Sequence, residues 1–260
     1  MNVAIVAIGD ELMNGSTINY NSSWIAKKIS KYADLHINNI SILYDNCLDI
    51  ENKIKALLKE KYKYIFVTGG LGPTHDDITK KAFQNIFKCD LVFNEVYYER
   101  LINYFNKKGF SIDKDHLKSQ AEILECSSPI PNRSGTALGM CIKKNNTSIF
   151  IMPGVPSEMK GMMKNEIIPR YLDLEYSEFL KKTTFLTTGI TESKLSNLLS
   201  SIVKNNSDKY KFSFLPSYLG VKFVVAAKNN SNSIKNYNSF CKIIKDKIGK
   251  FSYGFNDDKL

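Results

Sequence analysis

The sequence predicts an α/β protein built on a mostly parallel sheet, followed by a smaller α+β unit. Three observations lead there. Apolar runs of strand length alternate with segments of helical period through the first half of the chain. Glycine-bearing turns stand where those runs end, at Gly9, Gly69–Gly72 and Gly154. Beyond about residue 182 the order changes to strand, helix, two strands and helix, a unit of a size that folds as its own layer. The expected domains are therefore 1–170 and 183–260.

Val3–Ile8 is the first strand, and 21–31 is a helix with Trp24, Ile25 and Ile29 near helical spacing. Ile40, Ile42 and Tyr44 alternate as a strand does. Asp49 is expected to cap a helix carrying Ile50, Ile54, Leu57 and Leu58 on one side. Tyr64–Thr68 is continuously apolar, as a strand buried on both faces must be, and a helix is expected over 77–87. Another helix spans 95–107, and 126–135 reads as a polar, proline-punctuated loop. The strands 138–142 and 148–152 flank Asn145-Asn146 as a hairpin, and a helix with Met159, Met163 and Ile167 follows Pro156. A linker is expected from Pro169 to about 182. The second unit carries strands at 183–188, 210–215 and 221–227, with helices at 192–203 and 234–248.

Composition narrows the function classes. The net charge is +10, yet only three of the basic residues are arginines, Arg100, Arg133 and Arg170, and the lysines are spread along the chain. Reading of base edges favours arginine, and no nucleic-acid module is recognisable, so nucleic acid is disfavoured as the partner. No apolar run approaches the roughly 20 residues of a membrane span, so no membrane role is expected. The five cysteines form no CxxC pair, which suits a reducing, cytoplasmic setting and small-filler roles and argues against structural zinc.

The chemistry is expected at the carboxyl ends of the parallel strands, where ligands bind in open sheets. Thr68-Gly69-Gly70-Leu71-Gly72-Pro73-Thr74-His75-Asp76-Asp77 joins uncovered backbone N–H groups to a carboxylate pair. The amides can cradle phosphate and the carboxylates can hold a divalent cation against it. The competing reading makes Asp76 and Asp77 first-turn acids, worth about 0.3–1 kcal/mol each against the helix dipole. Gly9-Asp10-Glu11 with Asn14 and Asn19, and Pro153-Gly154-Val155-Pro156 with Glu158, stand at two other strand ends. Asp10 and Glu11 serve equally well as turn caps, and Glu158 as a helix cap. Asn132-Arg133-Ser134-Gly135-Thr136 offers a close backbone approach with polar side chains for phosphate or ribose, or else a plain surface turn. Neither Walker A nor GxGxxG spacing occurs, which disfavours P-loop and Rossmann readings.

Taken together, these segments resemble the CinA family (competence/damage-inducible protein A) in its N-terminal molybdopterin-binding-like domain. The matching motifs are Gly9-Asp10-Glu11-Leu12 with Asn14-Gly15, Asn19 and Asn21; Thr68–Thr79; Asn132 with Gly135-Thr136-Ala137 and Gly139; and Met152–Met159. The later unit is similar to the small middle domain of that family, and the first also resembles a domain of eukaryotic FAD synthases. The resemblance implies a three-layer α/β/α fold of the MoaB/MogA type. It also implies metal-dependent hydrolysis of a pyrophosphate linkage, with ADP-ribose as the associated substrate.

On this reading Asp76 and Asp77 are the metal ligands and, with Asp10 and Glu11, the catalytic carboxylates. Gly9, Asn14, Asn19, Gly69, Gly70, Gly72, Pro73, Thr74, Asn132, Gly135, Thr136, Gly154 and Pro156 are expected to hold a small nucleotide. The cofactor is a divalent ion, with potassium as a second candidate, and a homodimer is compatible with the resemblance. Two alternatives stay open: pterin binding with adenylyl transfer, as in molybdenum-cofactor assembly, and nucleotide binding without catalysis. The chain ends before the deamidase domain of full-length CinA proteins, so that activity is not expected. Tyr20 replaces a smaller polar residue of many relatives, which bears on substrate preference.

Overall fold

A computed structural model describes residues 1–32, 34–72, 78–109, 114–172, 181–228 and 231–256. The chain divides into two compact units, Met1–Ser30 with Asp34–Ser177, and Lys31–Ala33 with Glu178–Leu260.

The first unit carries strands β1 (Asn2–Ile8), β2 (His36–Leu43), β3 (Tyr64–Thr68), β4 (Leu91–Phe93), β5 (Glu122–Leu124), β6 (Ser128–Ile130), β7 (Gly139–Lys144) and β8 (Thr147–Met152). Six of them form one sheet in the order β2-β1-β3-β8-β7-β6. β2, β1, β3 and β8 run parallel, while β7 and then β6 pair antiparallel at one end. The fold is thus mixed α/β with a mainly parallel central sheet, as the alternation predicts. Every residue of β3 is buried, as are Val3–Ile8 of β1, because helices cover both faces. Phe66 and Phe150 stack across the centre with ring centroids 5.3 Å apart.

Several elements differ from expectation for local reasons. The helix Cys47–Lys59 is capped by Asn46, whose side chain accepts from the N–H groups of Leu48 and Asp49; Asp49 sits in the first turn. The segment expected as a loop contains β6, only three residues long. Its Pro129 is tolerated because β6 is an edge strand. The helix that opens at Pro156 widens into a π-turn over Met163–Ile167 and closes as Ile168–Tyr171, running past the expected linker start. Cys89 and Cys126 form a disulfide, correcting their filler role; the β4–β5 ladder brings the two segments together, and no spacing motif marks the pair. Cys47, Cys141 and Cys241 are free thiols.

The second unit is a four-stranded antiparallel sheet of β9 (Lys182–Thr187), β10 (Tyr210–Ser217), β11 (Gly220–Ala227) and β12 (Ser252–Phe255), in the order β10-β11-β9-β12. β12 was not expected from the sequence. The helix expected over 234–248 is two pieces, Ser231–Lys235 and Tyr237–Ile248. This unit has its own core, in which Tyr210 and Phe240 stack at 4.1 Å. Among the described residues, no helix is long and apolar enough to cross a membrane.

Candidate functional site

β1 lies between β2 and β3, so the chain leaves β1 toward one neighbour and reaches the other only later. Such a reversal opens a crevice beyond the carboxyl ends of the strands. Three turns close on it. At the end of β1, the Gly9 N–H donates to Leu43 O at 3.0 Å, drawing in the end of β2. At the end of β3, the Gly69 N–H donates to Met152 O at 3.0 Å, drawing in the end of β8. Gly69 has φ +109°, and a Cβ there would collide with Ile8 O. Only glycine gives both that conformation and that approach. Gly154 packs in turn on Gly69, since a Cβ on Gly154 would lie 3.5 Å from Gly69 Cα. The Thr79 hydroxyl donates to Gly69 O at 3.1 Å and ties the following helix to the same turn.

These turns wall a cleft of about 510 Å³, a volume ordinary for a small-molecule site. Its backbone walls come from Gly9, Gly69, Gly70, Gly72 and Gly154, and its side chains include Asp10, Glu11, Asp45, Gln120, Thr136 and Glu158. Four carboxylates therefore face the space. No lysine, arginine or histidine lines it among the described residues, although the whole chain carries a +10 charge.

Asp10 and Asp45 are tied together. The Asp10 N–H donates to Asp45 Oδ2 at 3.1 Å, and the Asp45 N–H donates to Asp10 Oδ1 at 2.9 Å. Across the cleft, Glu158 accepts from Asn132 Nδ2, and burial pushes its carboxyl above the usual range. Asn132 is itself buried; its Oδ1 accepts from the N–H groups of Ser134 and Gly135, which folds the loop under Glu158. A Cβ on Gly135 would strike the Glu158 carboxylate. The Tyr97 hydroxyl donates to Thr136 O at 3.1 Å, and burial pushes this phenol up, so it remains a donor at neutral pH. Gln120 is only 9% exposed, and its Oε1 is buried without a hydrogen-bond partner.

The structure places the sequence candidates as follows. Gly9, Asp10, Glu11, Gly69, Gly70, Gly72, Thr136 and Gly154 line the cleft. Asn19 and Pro156 line a smaller neighbouring cavity. Asn132 and Gly135 stand behind Glu158. Asn14 lines neither space, and its Oδ1 accepts from the N–H and hydroxyl of Ser16. Pro73, Thr74, His75, Asp76 and Asp77 lie outside the described residues. Sequence reasoning missed Asp45 and Gln120. Asp45 follows a strand expected at 40–44, so the strand-end rule could have found it; Gln120 carries no such signal.

Among the described residues, no group of three or more His, Cys, Asp or Glu side chains is placed to hold a metal ion by itself. Asp10, Glu11 and Asp45 nevertheless all line the same cleft and offer only oxygen donors. That donor chemistry suits a hard divalent cation sharing its shell with substrate oxygens.

Residues 4–173 match the family described as "Probable molybdopterin binding domain". A CinA-like protein of Chlorobium limicola is 34% identical over 265 residues, covering 98% of this chain and 60% of the relative. A protein of Pyrococcus horikoshii is 32% identical over 206 residues, covering 77% of this chain and 79% of its own length. Among solved structures, the CinA protein of unknown function from Thermoplasma acidophilum superposes with a TM-score of 0.56 at 28% identity, covering 63% of this chain and 94% of that one. The chain thus spans about 60% of the length of the Chlorobium relative.

Proposed function

The chain belongs to the probable molybdopterin binding domain family, among its CinA-like members, and from that premise we propose that it hydrolyses the diphosphate of a small dinucleotide such as ADP-ribose with the help of a divalent cation. One observation carries this reading. The cleft combines a floor of glycine turns with four carboxylates and no basic side chain among the described residues. Glycine amides favour phosphate oxygens, whereas carboxylates repel them. A bridging cation reconciles the two.

Asp76 and Asp77 would hold that cation, with Asp10, Glu11 and Asp45 supplying further oxygens. When bound, it would neutralise phosphate charge and lower the pKa of a coordinated water. The chain's own groups do the rest. The Gly70 and Leu71 N–H groups of the Gly69–Gly72 turn and the Thr136 hydroxyl orient the diphosphate, the Gly69 N–H being held by Met152 O. Asp10 and Asp45, fixed by their mutual hydrogen bonds, keep the acidic wall in place. Glu158 accepts the proton of the attacking water: one P–O bond forms to that water, the bridging P–O bond breaks, and two monophosphates leave.

The deciding experiment incubates the purified chain with ADP-ribose, FAD and a pterin plus adenylate donor, across Mg²⁺, Mn²⁺ and K⁺, and identifies the products. AMP with ribose 5-phosphate, lost in an Asp76→Asn/Asp77→Asn variant that stays folded, supports the proposal. Wild-type turnover in that variant rejects the metal assignment. Adenylylated pterin as the product would favour the cofactor-assembly reading instead.

A further inference from the structure

The loop from Asn132 to Ala137, between β6 and β7, holds its shape without help from the sheet. Among the described residues, no backbone–backbone hydrogen bond involves it. Three of its carbonyls are taken by side chains instead. Asn132 Nδ2 donates to Ala137 O at 3.0 Å, the Tyr97 hydroxyl donates to Thr136 O at 3.1 Å, and the Arg100 guanidinium donates to Asn132 O. Two of those three donors come from one helix, Glu95–Lys108. A part-buried carbonyl deprived of its donor is costly, so the loop follows the helix that serves it.

Tyr97 and Arg100 stand three positions apart and so share one face of that helix. Tyr97 is buried, and the Arg100 guanidinium lies over its ring at 5.6 Å, an attraction between the charge and the π face. The start of the helix is pinned in turn. Asn94 caps it by accepting from the Tyr97 N–H at 2.9 Å, and the Asn94 N–H donates to Ala121 O at 2.9 Å. Neither Tyr97 nor Arg100 lines the cleft, but each holds a residue that acts on it. Arg100 holds Asn132, whose Nδ2 also donates to the Glu158 carboxylate. Tyr97 holds Thr136, which itself lines the cleft.

We propose that Tyr97 and Arg100 are positioning residues with separate tasks. Arg100, by holding Asn132, aims the Glu158 carboxylate at the attacking water. Tyr97, by holding Thr136, sets the hydroxyl that receives the diphosphate. Both tasks rest on the main cleft being the diphosphatase site. A base displaced by about 1 Å costs the reaction much and substrate binding little, so Arg100 governs turnover. A group that touches substrate equally before and during reaction governs affinity, so Tyr97 governs KM.

The test measures ADP-ribose hydrolysis with Mg²⁺, and amide hydrogen exchange, on the full chain. Arg100→Met should lower kcat about tenfold with KM unchanged, and Arg100→Lys, which restores a donor to Asn132 O, should recover most of the loss. Tyr97→Phe, which removes only the hydroxyl, should raise KM about fivefold and leave kcat within about twofold. Asn132 Oδ1 holds the Ser134 and Gly135 N–H groups at 3.0 and 3.1 Å. In Arg100→Met those two amides should exchange about tenfold faster, while the amides of β3 keep their wild-type rates. Unchanged kcat in Arg100→Met, a loss that Arg100→Lys does not recover, or exchange that quickens in β3 as well overturns the role of Arg100. An unchanged KM in Tyr97→Phe overturns that of Tyr97. A wild-type chain that hydrolyses nothing, with Ser134 and Gly135 still responding to Arg100→Met, keeps the loop-positioning role and sinks the diphosphatase reading. Hydrolysis indifferent to both substitutions does the reverse.

Discussion

Asp10 and Asp45 each give a backbone N–H to the other's carboxylate, at 3.1 and 2.9 Å, locking the turns after β1 and β2 into one acidic wall. Both residues face the cleft. Like charges held this close are tolerable only where N–H donors or a cation offset them.

That lock separates structure from chemistry. In Asp10→Asn the amide oxygen still accepts the Asp45 N–H, so the turn should survive with a Tm change under about 2 °C. The lost charge should weaken divalent-ion affinity at least tenfold and reduce turnover with it. Calorimetric ion titration beside thermal unfolding checks both halves. Unchanged ion affinity would remove Asp10 from the proposed cation site.

Gly135→Ala should behave differently. Its new Cβ meets the Glu158 carboxylate, the free end of a side chain that can swing aside. Stability should fall by only about 1 kcal/mol, while turnover drops at least tenfold as the displaced carboxylate leaves Asn132. Full activity in this variant would show that the position of Glu158 does not matter.

Gly69→Ala meets backbone. Its Cβ would strike Ile8 O at φ +109°, and neither the strand nor the turn can yield. Destabilisation of about 2–4 kcal/mol is expected in urea unfolding, from strain at a left-handed position plus overpacking.

Glu158→Gln yields a pH signature. Burial raises the carboxyl of Glu158 in the native chain, so the native state holds its proton to higher pH than the unfolded state does. Stability from this group is therefore intact below the ordinary glutamate value, about 4.3, and declines as pH rises through the raised native value. The glutamine variant lacks that decline, so its Tm should match wild type in acid and exceed it near neutrality. Its turnover should fall about 100-fold or more and lose the acid limb attributed to Glu158. A Tm difference that stays constant with pH would contradict the assignment.

The framework of the first unit was legible because β1, β3 and β8 are continuous apolar runs ending in glycine turns, a signal that survives without tertiary information. β4, β5 and β6 were not, since three residues cannot display a period, and β12 lies in a short aromatic stretch after the last helix. The cap at Asn46 was lost to Asp49 because both side chains suit a helix start and only backbone geometry chooses between them. At the site, strand ends pointed to Gly9, Gly69 and Gly154. The roles of Glu158 and Gln120 depend on what burial does to a carboxyl and an amide, which spacing along a chain does not encode.

The π-turn at Met163–Ile167 also sets the orientation of a side chain. Glu166, 1% exposed, receives Arg133 at 3.2 Å and Arg170 at 2.8 Å. Each residue of an ordinary helix advances the side-chain direction by about 100°. Deleting Lys164 within this wide turn would restore regular winding and swing Glu166, together with Arg170 one turn on, away from Arg133. The loop bearing Arg133 would lose that anchor, though neither Glu166 nor Arg133 itself lines the main cleft.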